Sequence, residues 1–244
     1  MWIIAFTTIA LTSLLSGVLG MGGGMILMGV LAMLMPLSQA MIVHGLTQTV
    51  ANLSRAWIHR REIHWSIFRW YLMGSQITLI GFFFFALTIS KPWFFIALGS
   101  LALISQLLPK QISIAVTKPQ NALICGMMVT ASQLLVGVAG SILDLFFVRS
   151  SLSRYQVLAT KAITQTIGHL TKLMFWSGIA LGHLNINLQA WWILPIIIVL
   201  ATSGSHFGAK ILARMSDGQF RKITSTMLLL IGISYLVRGG TMLW

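Results

Sequence analysis

Leu46-Thr47-Gln48-Thr49-Val50-Ala51-Asn52-Leu53 returns 117 residues further on as Ile163-Thr164-Gln165-Thr166-Ile167-Gly168-His169-Leu170. Upstream of each copy stands a second shared motif: Gly17-Val18-Leu19-Gly20 comes back as Gly137-Val138-Ala139-Gly140 at an offset of 120. Two motifs in the same order, at the same place in a four-segment block, point to an internal duplication. Working outward from them, apolar runs between polar or Gly/Pro breaks fall at about 2–35, 38–59, 65–90, 93–109, 120–148, 153–180, 187–213 and 219–238. The first run of each block of four, 2–35 and 120–148, is the one the glycines interrupt. The chain therefore divides into a first transmembrane repeat over 1–109, a cytoplasmic linker over 110–119 and a second repeat over 120–244.

The composition sets the solvent. Hydrophobic residues make up 57% of the 244 and charged ones only 8%, against about 25% charged in an ordinary soluble domain. A water-soluble protein is excluded, and runs of this length read as membrane segments. The formal charge of +13 comes from 16 Lys and Arg against Glu62, Asp144 and Asp217. These cations sit at segment ends rather than in a basic domain, so they report orientation in the membrane and not nucleic-acid binding. A single cysteine, Cys125, excludes an intrachain disulfide and a cysteine-rich metal site. The apolar start lacks a basic n-region and a small-residue cleavage site, so it reads as mature structure. No cofactor and no metal are expected.

Charge also tests the topology. If all eight segments crossed the bilayer, the loop with Arg55, Arg60, Arg61 and Arg69 would face the side opposite to the loop with Lys210, Arg214, Arg221 and Lys222, against the positive-inside bias. If each glycine-interrupted segment is instead a hairpin of two half-helices, both loops fall inside. Lys110, Lys118, Arg149 and Arg154 then join them, while Lys91 and Arg238 face out and the 178–190 loop carries no Lys or Arg. Three true spans per half is an odd number, so the halves are expected to be inverted. The fold expected is an all-α polytopic membrane protein of two homologous halves, each a broken hairpin plus three transmembrane helices, with an all-spanning parallel repeat as the alternative.

Broken helices in inverted repeats mark binding sites in many secondary transporters. Gly22, Gly23 and Gly24 either free amide N–H groups at a half-helix N-terminus for an anion or let helices pack closely. Gly140 and Ser141 hold the equivalent place in the second half, and Asp144, one turn further on, is a candidate for proton coupling or for pairing with Lys161. After the hairpins come two matched polar stripes at helical spacing: His44, Gln48, Asn52 and Arg55, then Lys161, Gln165, His169 and Lys172. Neither contains a carboxylate, so their shared chemistry is anion recognition, with interhelical polar contact as the structural alternative. Lys172 near a helix end can snorkel to water, whereas Lys161 needs a partner or a cavity. Asp217, following Ser216, reads as a helix-cap or loop residue. The run from Phe82 to Phe85 reads as lipid-facing or packed surface.

The whole chain resembles the sulfite exporter TauE/SafE family, also called the toluene sulfonate uptake permease family. The resemblance rests on Gly17-Val18-Leu19-Gly20-Met21-Gly22-Gly23-Gly24, Leu143-Asp144-Leu145-Phe146-Phe147 and Ala159-Thr160-Lys161-Ala162. It implies a non-enzymatic permease for sulfite, sulfoacetate or other sulfonates, multi-pass in the cell (inner) membrane, and favours residues 22–24, Gln48, Gln165 and Lys161 as the region of interest. The expected partners are a small anion and the lipid bilayer, with no nucleic acid; homo-oligomer formation stays open. An anion channel, or a carrier of another small carboxylate or inorganic anion, is the alternative.

Overall fold

The structure is a computed structural model that describes residues 2–19, 22–85, 88–107, 114–147, 150–181, 192–212 and 214–244. Gly20, Met21, Lys110, Arg149, Trp191 and most of the 178–190 loop lie outside the described residues. Ten α-helices follow in order: α1 Trp2–Leu19, α2 Gly22–Leu34, α3 Leu37–Ile58, α4 Trp65–Phe85, α5 Lys91–Leu107, α6 Pro119–Val136, α7 Gly140–Phe147, α8 Arg154–Leu181, α9 Ile193–Leu212 and α10 Asp217–Thr241, with one 3-10 turn at Arg60–Glu62. Among the described residues there is no strand. The regular structure among the described residues is all helical, and each glycine motif stands where one helix gives way to the next.

Local chemistry sets these boundaries. Pro36 directly precedes α3 and Pro119 opens α6, positions where a missing N–H costs nothing. Gly137 closes α6 in the left-handed region at φ +79°, which glycine alone adopts freely, and its N–H bonds to Gln133 O. Before α10 the cap is Ser216, which forms a capping box with Gln219; Asp217 is the first helical residue, not the cap.

Polarity is distributed as a bilayer demands. Ile77, Ile80, Phe83, Phe84, Phe85, Ile198, Val199, Leu230 and Val237 are each at least half exposed, whereas His44, Gln48, Asn52, Gln133 and Lys172 are buried. So wide an apolar surface would aggregate in water and suits lipid. Phe82 alone of its run is buried, edge-on to Phe175. Two helices, Trp65–Phe85 and Lys222–Thr241, are both long and apolar enough to cross a membrane; α1, α2, α5 and α9 supply apolar stretches that are shorter. With 22 and 28 residues, α3 and α8 have the length, but their inward polar stripes dilute their apolar character.

α3 and α8 pack together at the centre and run antiparallel: His44 meets Lys172 and His169 near one end, while His59 lies beside Tyr155 near the other. α5 and α10 also pair antiparallel, Gly99 against Gly232 and Leu236, and Gly239 against Ile96 and Pro92. Two pairs run parallel. α1 lies along α9, from Trp2 against Trp192 to Gly17 against Gly208, and α4 lies along α6, from Tyr71 against Gly126 to Ser75 against Thr130.

In lipid there is little hydrophobic gain from joining apolar helices, so close van der Waals contact must hold them. Glycine supplies it here. A methyl placed on Gly126 would meet the Tyr71 carbonyl, and one on Gly74 the Leu123 carbonyl. Gly126→Ala is therefore expected to destabilise the detergent-purified protein by about 1–3 kcal/mol through overpacking. Gly81→Ala, whose methyl meets nothing within 4 Å, should leave the thermal midpoint unchanged or slightly raised.

Candidate functional site at the two helix breaks

Each break is held by its own contacts. In the first half, α2 folds back against α1: a methyl on Gly23 would run into Thr12 O and the Ser16 side chain, so this glycine serves close approach. Gly24 faces Gln48, whose Nε2 would lie 3.4 Å from an added methyl. Its carbonyl accepts a hydrogen bond from His44 Nε2 at 3.0 Å. In the second half the break between α6 and α7 is closed by Ser132, whose hydroxyl donates to Val138 O at 2.7 Å. The end of the linker packs at the far end of α7, with Ile114 and Val116 N–H groups bonded to Leu145 and Phe146 carbonyls.

A buried polar chain joins the two breaks. Because a carbonyl only accepts, His44 must carry its proton on Nε2 to serve Gly24, which leaves Nδ1 as acceptor. Lys172 Nζ fills that role, donating to His44 Nδ1 at 2.7 Å and to Gly137 O at 3.0 Å. The path runs from the carbonyl of Gly24 through His44 and Lys172 to the carbonyl of Gly137. His169 stands edge-on to His44, ring centroids 5.5 Å apart.

A cavity of about 30 Å³ opens beside this chain, lined by Gly24, Met25, His44, Gln48, Gln133, Val138, Ala139, Gly140, Gln165 and His169. Every lining residue but Gln165 is buried. Both amide atoms of Gln133 and Nδ1 of His169 are buried without a hydrogen-bond partner among the described residues. Buried polar atoms are normally satisfied, so this is where a polar guest gains most. Among the described residues, no carboxylate lines the cavity. A larger depression of about 440 Å³, bounded by Ile58, His59, Arg60, Arg61, Glu62 and Tyr155, lies at the surface turn after α3 and away from the breaks.

Of the residues expected from sequence, Gly24, His44, Gln48, Gly140, Gln165 and His169 meet at this cavity. Gly22 and Gly23 are buried in the first turn of α2 without lining it, and Ser141 is buried beside Gly140, its hydroxyl without a hydrogen-bond partner among the described residues. Asn52 turns along its own helix, donating to Gln48 O and accepting from Arg55. Of the two lysines, only Lys172 departs from expectation. Lys172 does not snorkel but is fully buried, because the antiparallel packing of α3 and α8 sets it opposite His44. Lys161 is partly exposed and paired with Asp144, which realises the ion pair expected for that carboxylate. Gln133 was not found from sequence: its counterpart at the 120-residue offset is Ser13, so the repeat gives it no signal.

The offsets expose a correspondence in geometry. Gly24 and His44 map onto Asp144 and Lys161, and both pairs are in contact. One half joins its broken segment to the next helix through a carbonyl and an imidazole, and the other through a carboxylate and an ammonium. Lys172 maps onto Arg55, yet Lys172 crosses to the other half while Arg55 stays on α3.

Compared with known proteins, the chain matches the profile of the family described as Sulfite exporter TauE/SafE over residues 5–235. Neither a curated protein nor a solved structure gives a match.

Removing one partner of an ion pair in a low-dielectric setting strands the other charge. Asp144→Asn and Lys161→Met are each expected to lower the thermal midpoint of the purified protein, and the double variant to recover part of the loss, which a double-mutant cycle measures.

Proposed function

As the chain belongs to the sulfite exporter TauE/SafE family, a family of membrane transporters, we propose that it is a secondary transporter of the cell membrane that carries small sulfur oxyanions, sulfite or organosulfonates, through the cavity at its two helix breaks. The observation that carries this reading is the lining: glutamine and histidine from both halves, unpartnered polar atoms, and no carboxylate among the residues that form it. An oxyanion entering here gives up hydration and gains amide N–H donors from Gln48, Gln133 and Gln165, with the first turns after the two breaks contributing backbone groups.

The halves act as inverted repeats. What supports this is the direction of the helices. Under a parallel repeat, corresponding helices run the same way, but α3 and α8 are antiparallel, as are α5 and α10. Exchanging the first five helices with the last five turns the α1–α9 contact into α6–α4 and the α3–α9 contact into α8–α4, all of which are present. α2, at 13 residues, spans about 20 Å at 1.5 Å per residue, short of the roughly 30 Å hydrocarbon core, as a half-helix of a hairpin should be.

Burial then dictates motion. Every lining residue but Gln165 is buried. Admission therefore requires the helices around it to part, first toward one face and then the other, as rocking of one half against its partner provides. Asp144, partly exposed and held by Lys161, is the carboxylate placed to take a coupling proton when Lys161 is drawn toward the anion.

Two experiments test the reading. In proteoliposomes, Gln48→Ala and Gln165→Ala should each cut sulfite and sulfonate flux at least tenfold; unimpaired flux in both removes the site. With Cys125 replaced by alanine, single cysteines at the exposed positions Gln39 and Gln120 should react with impermeant thiol reagents from opposite faces of the membrane. Labelling of both from one face removes the inverted topology.

A further inference from the structure

Lys172 is buried to zero exposure, with two described hydrogen-bond partners, the Gly137 carbonyl and His44 Nδ1. Both are uncharged acceptors, and an ammonium has three N–H donors to place. The chain has three acids. Glu62 is exposed in the turn after α3, Asp144 is held by Lys161, and Asp217 opens α10, which packs on α5 and α2. Among the described side chains, then, no carboxylate neutralises Lys172. A cation in that position is expensive in a membrane interior unless a partner of opposite charge is present.

The space beside it is built to receive such a partner. His44, which accepts from Lys172, lines the cavity; so does Val138, next in the chain to the Gly137 carbonyl that Lys172 holds. Gln133 packs against Gly168, one turn before Lys172 on the same face of α8, and its amide is unpartnered. Lys172, without a carboxylate partner among the described side chains, thus stands one hydrogen bond behind His44, just outside the lining of a cavity that holds unsatisfied neutral polar groups.

We propose that the transported anion is itself the counter-ion of Lys172. The inference rests on the transport reading above and deepens it: Lys172 supplies the charge that selects an anion over a neutral molecule of the same shape, and the glutamines supply direction. A singly charged sulfur oxyanion then forms a neutral pair within the protein.

Binding of methanesulfonate and of its uncharged isostere dimethyl sulfone to detergent-purified protein, measured by calorimetry, tests this. The natural protein should prefer methanesulfonate at least 100-fold; equal affinity overturns the proposal without any variant. Lys172→Gln should reduce the preference below tenfold and Lys172→Arg should keep most of it. If Gln48→Ala and Gln165→Ala weaken methanesulfonate binding while Lys172→Gln retains the full preference, the cavity stands and the counter-ion role of Lys172 falls. If none of the three variants alters binding, both fall. Gln133→Glu addresses the case in which Lys172→Gln does not fold. A carboxylate at that position becomes an internal counter-ion, so the thermal midpoint should rise while methanesulfonate binding is lost; a lower midpoint overturns the proposal.

Discussion

The hydrogen-bonded path from Gly24 through His44 and Lys172 to Gly137 is the constraint around which the rest of the interior is arranged. A broken helix leaves carbonyls and amides without partners, and in lipid no water makes up the loss. Here the two breaks share one solution. His44, from the first half, serves its own broken segment on one ring nitrogen and the second half on the other, while Lys172 does the reverse. Each half serves its own interrupted carbonyl, and the Lys172–His44 hydrogen bond ties the two together, so the breaks, the central helix pair and the cavity form one unit.

The polar interior and the glycine contacts solve different parts of the same problem. Polar contacts between the central helices, such as Lys172 with His44, are of a kind that contributes about 0.6 kcal/mol each on average in a bilayer. They select register more than they add stability. The outer pairs, α1 with α9 and α4 with α6, rely on glycines that bring backbone against backbone. Adhesion is therefore concentrated in these pairs, and polar specificity is concentrated between α3 and α8.

Much of this was legible in the residues. Three consecutive glycines at 22–24 and the Gly137-Val138-Ala139-Gly140 echo located both interruptions, since nothing else in so apolar a chain explains such runs. The stripes at His44, Gln48 and Gln165, His169 identified the inward faces of α3 and α8, because a period of 3.6 fixes a face regardless of context. What a stripe does not fix is where along its length the partner helix comes closest. That is why Lys172 departs from the snorkelling expected of it, whereas Lys161 has the partner expected: the antiparallel packing sets Lys172 opposite His44 and leaves Lys161 beside Asp144. Gln133 was hidden for another reason. It stands alone on α6, and a repeat-based reading sees only what both copies retain.

The backbone contacts at Gly17 with Gly208 and at Tyr71 with Gly126 also bear on how such a molecule deforms. Two helices locked carbonyl to α-carbon have no side-chain layer to shear, so each pair behaves as a stiff plank. The α3–α8 seam, padded with flexible side chains, is the compliant joint. Displacement imposed from either side of the membrane would be channelled into that seam, and hence into the place where the solute would sit.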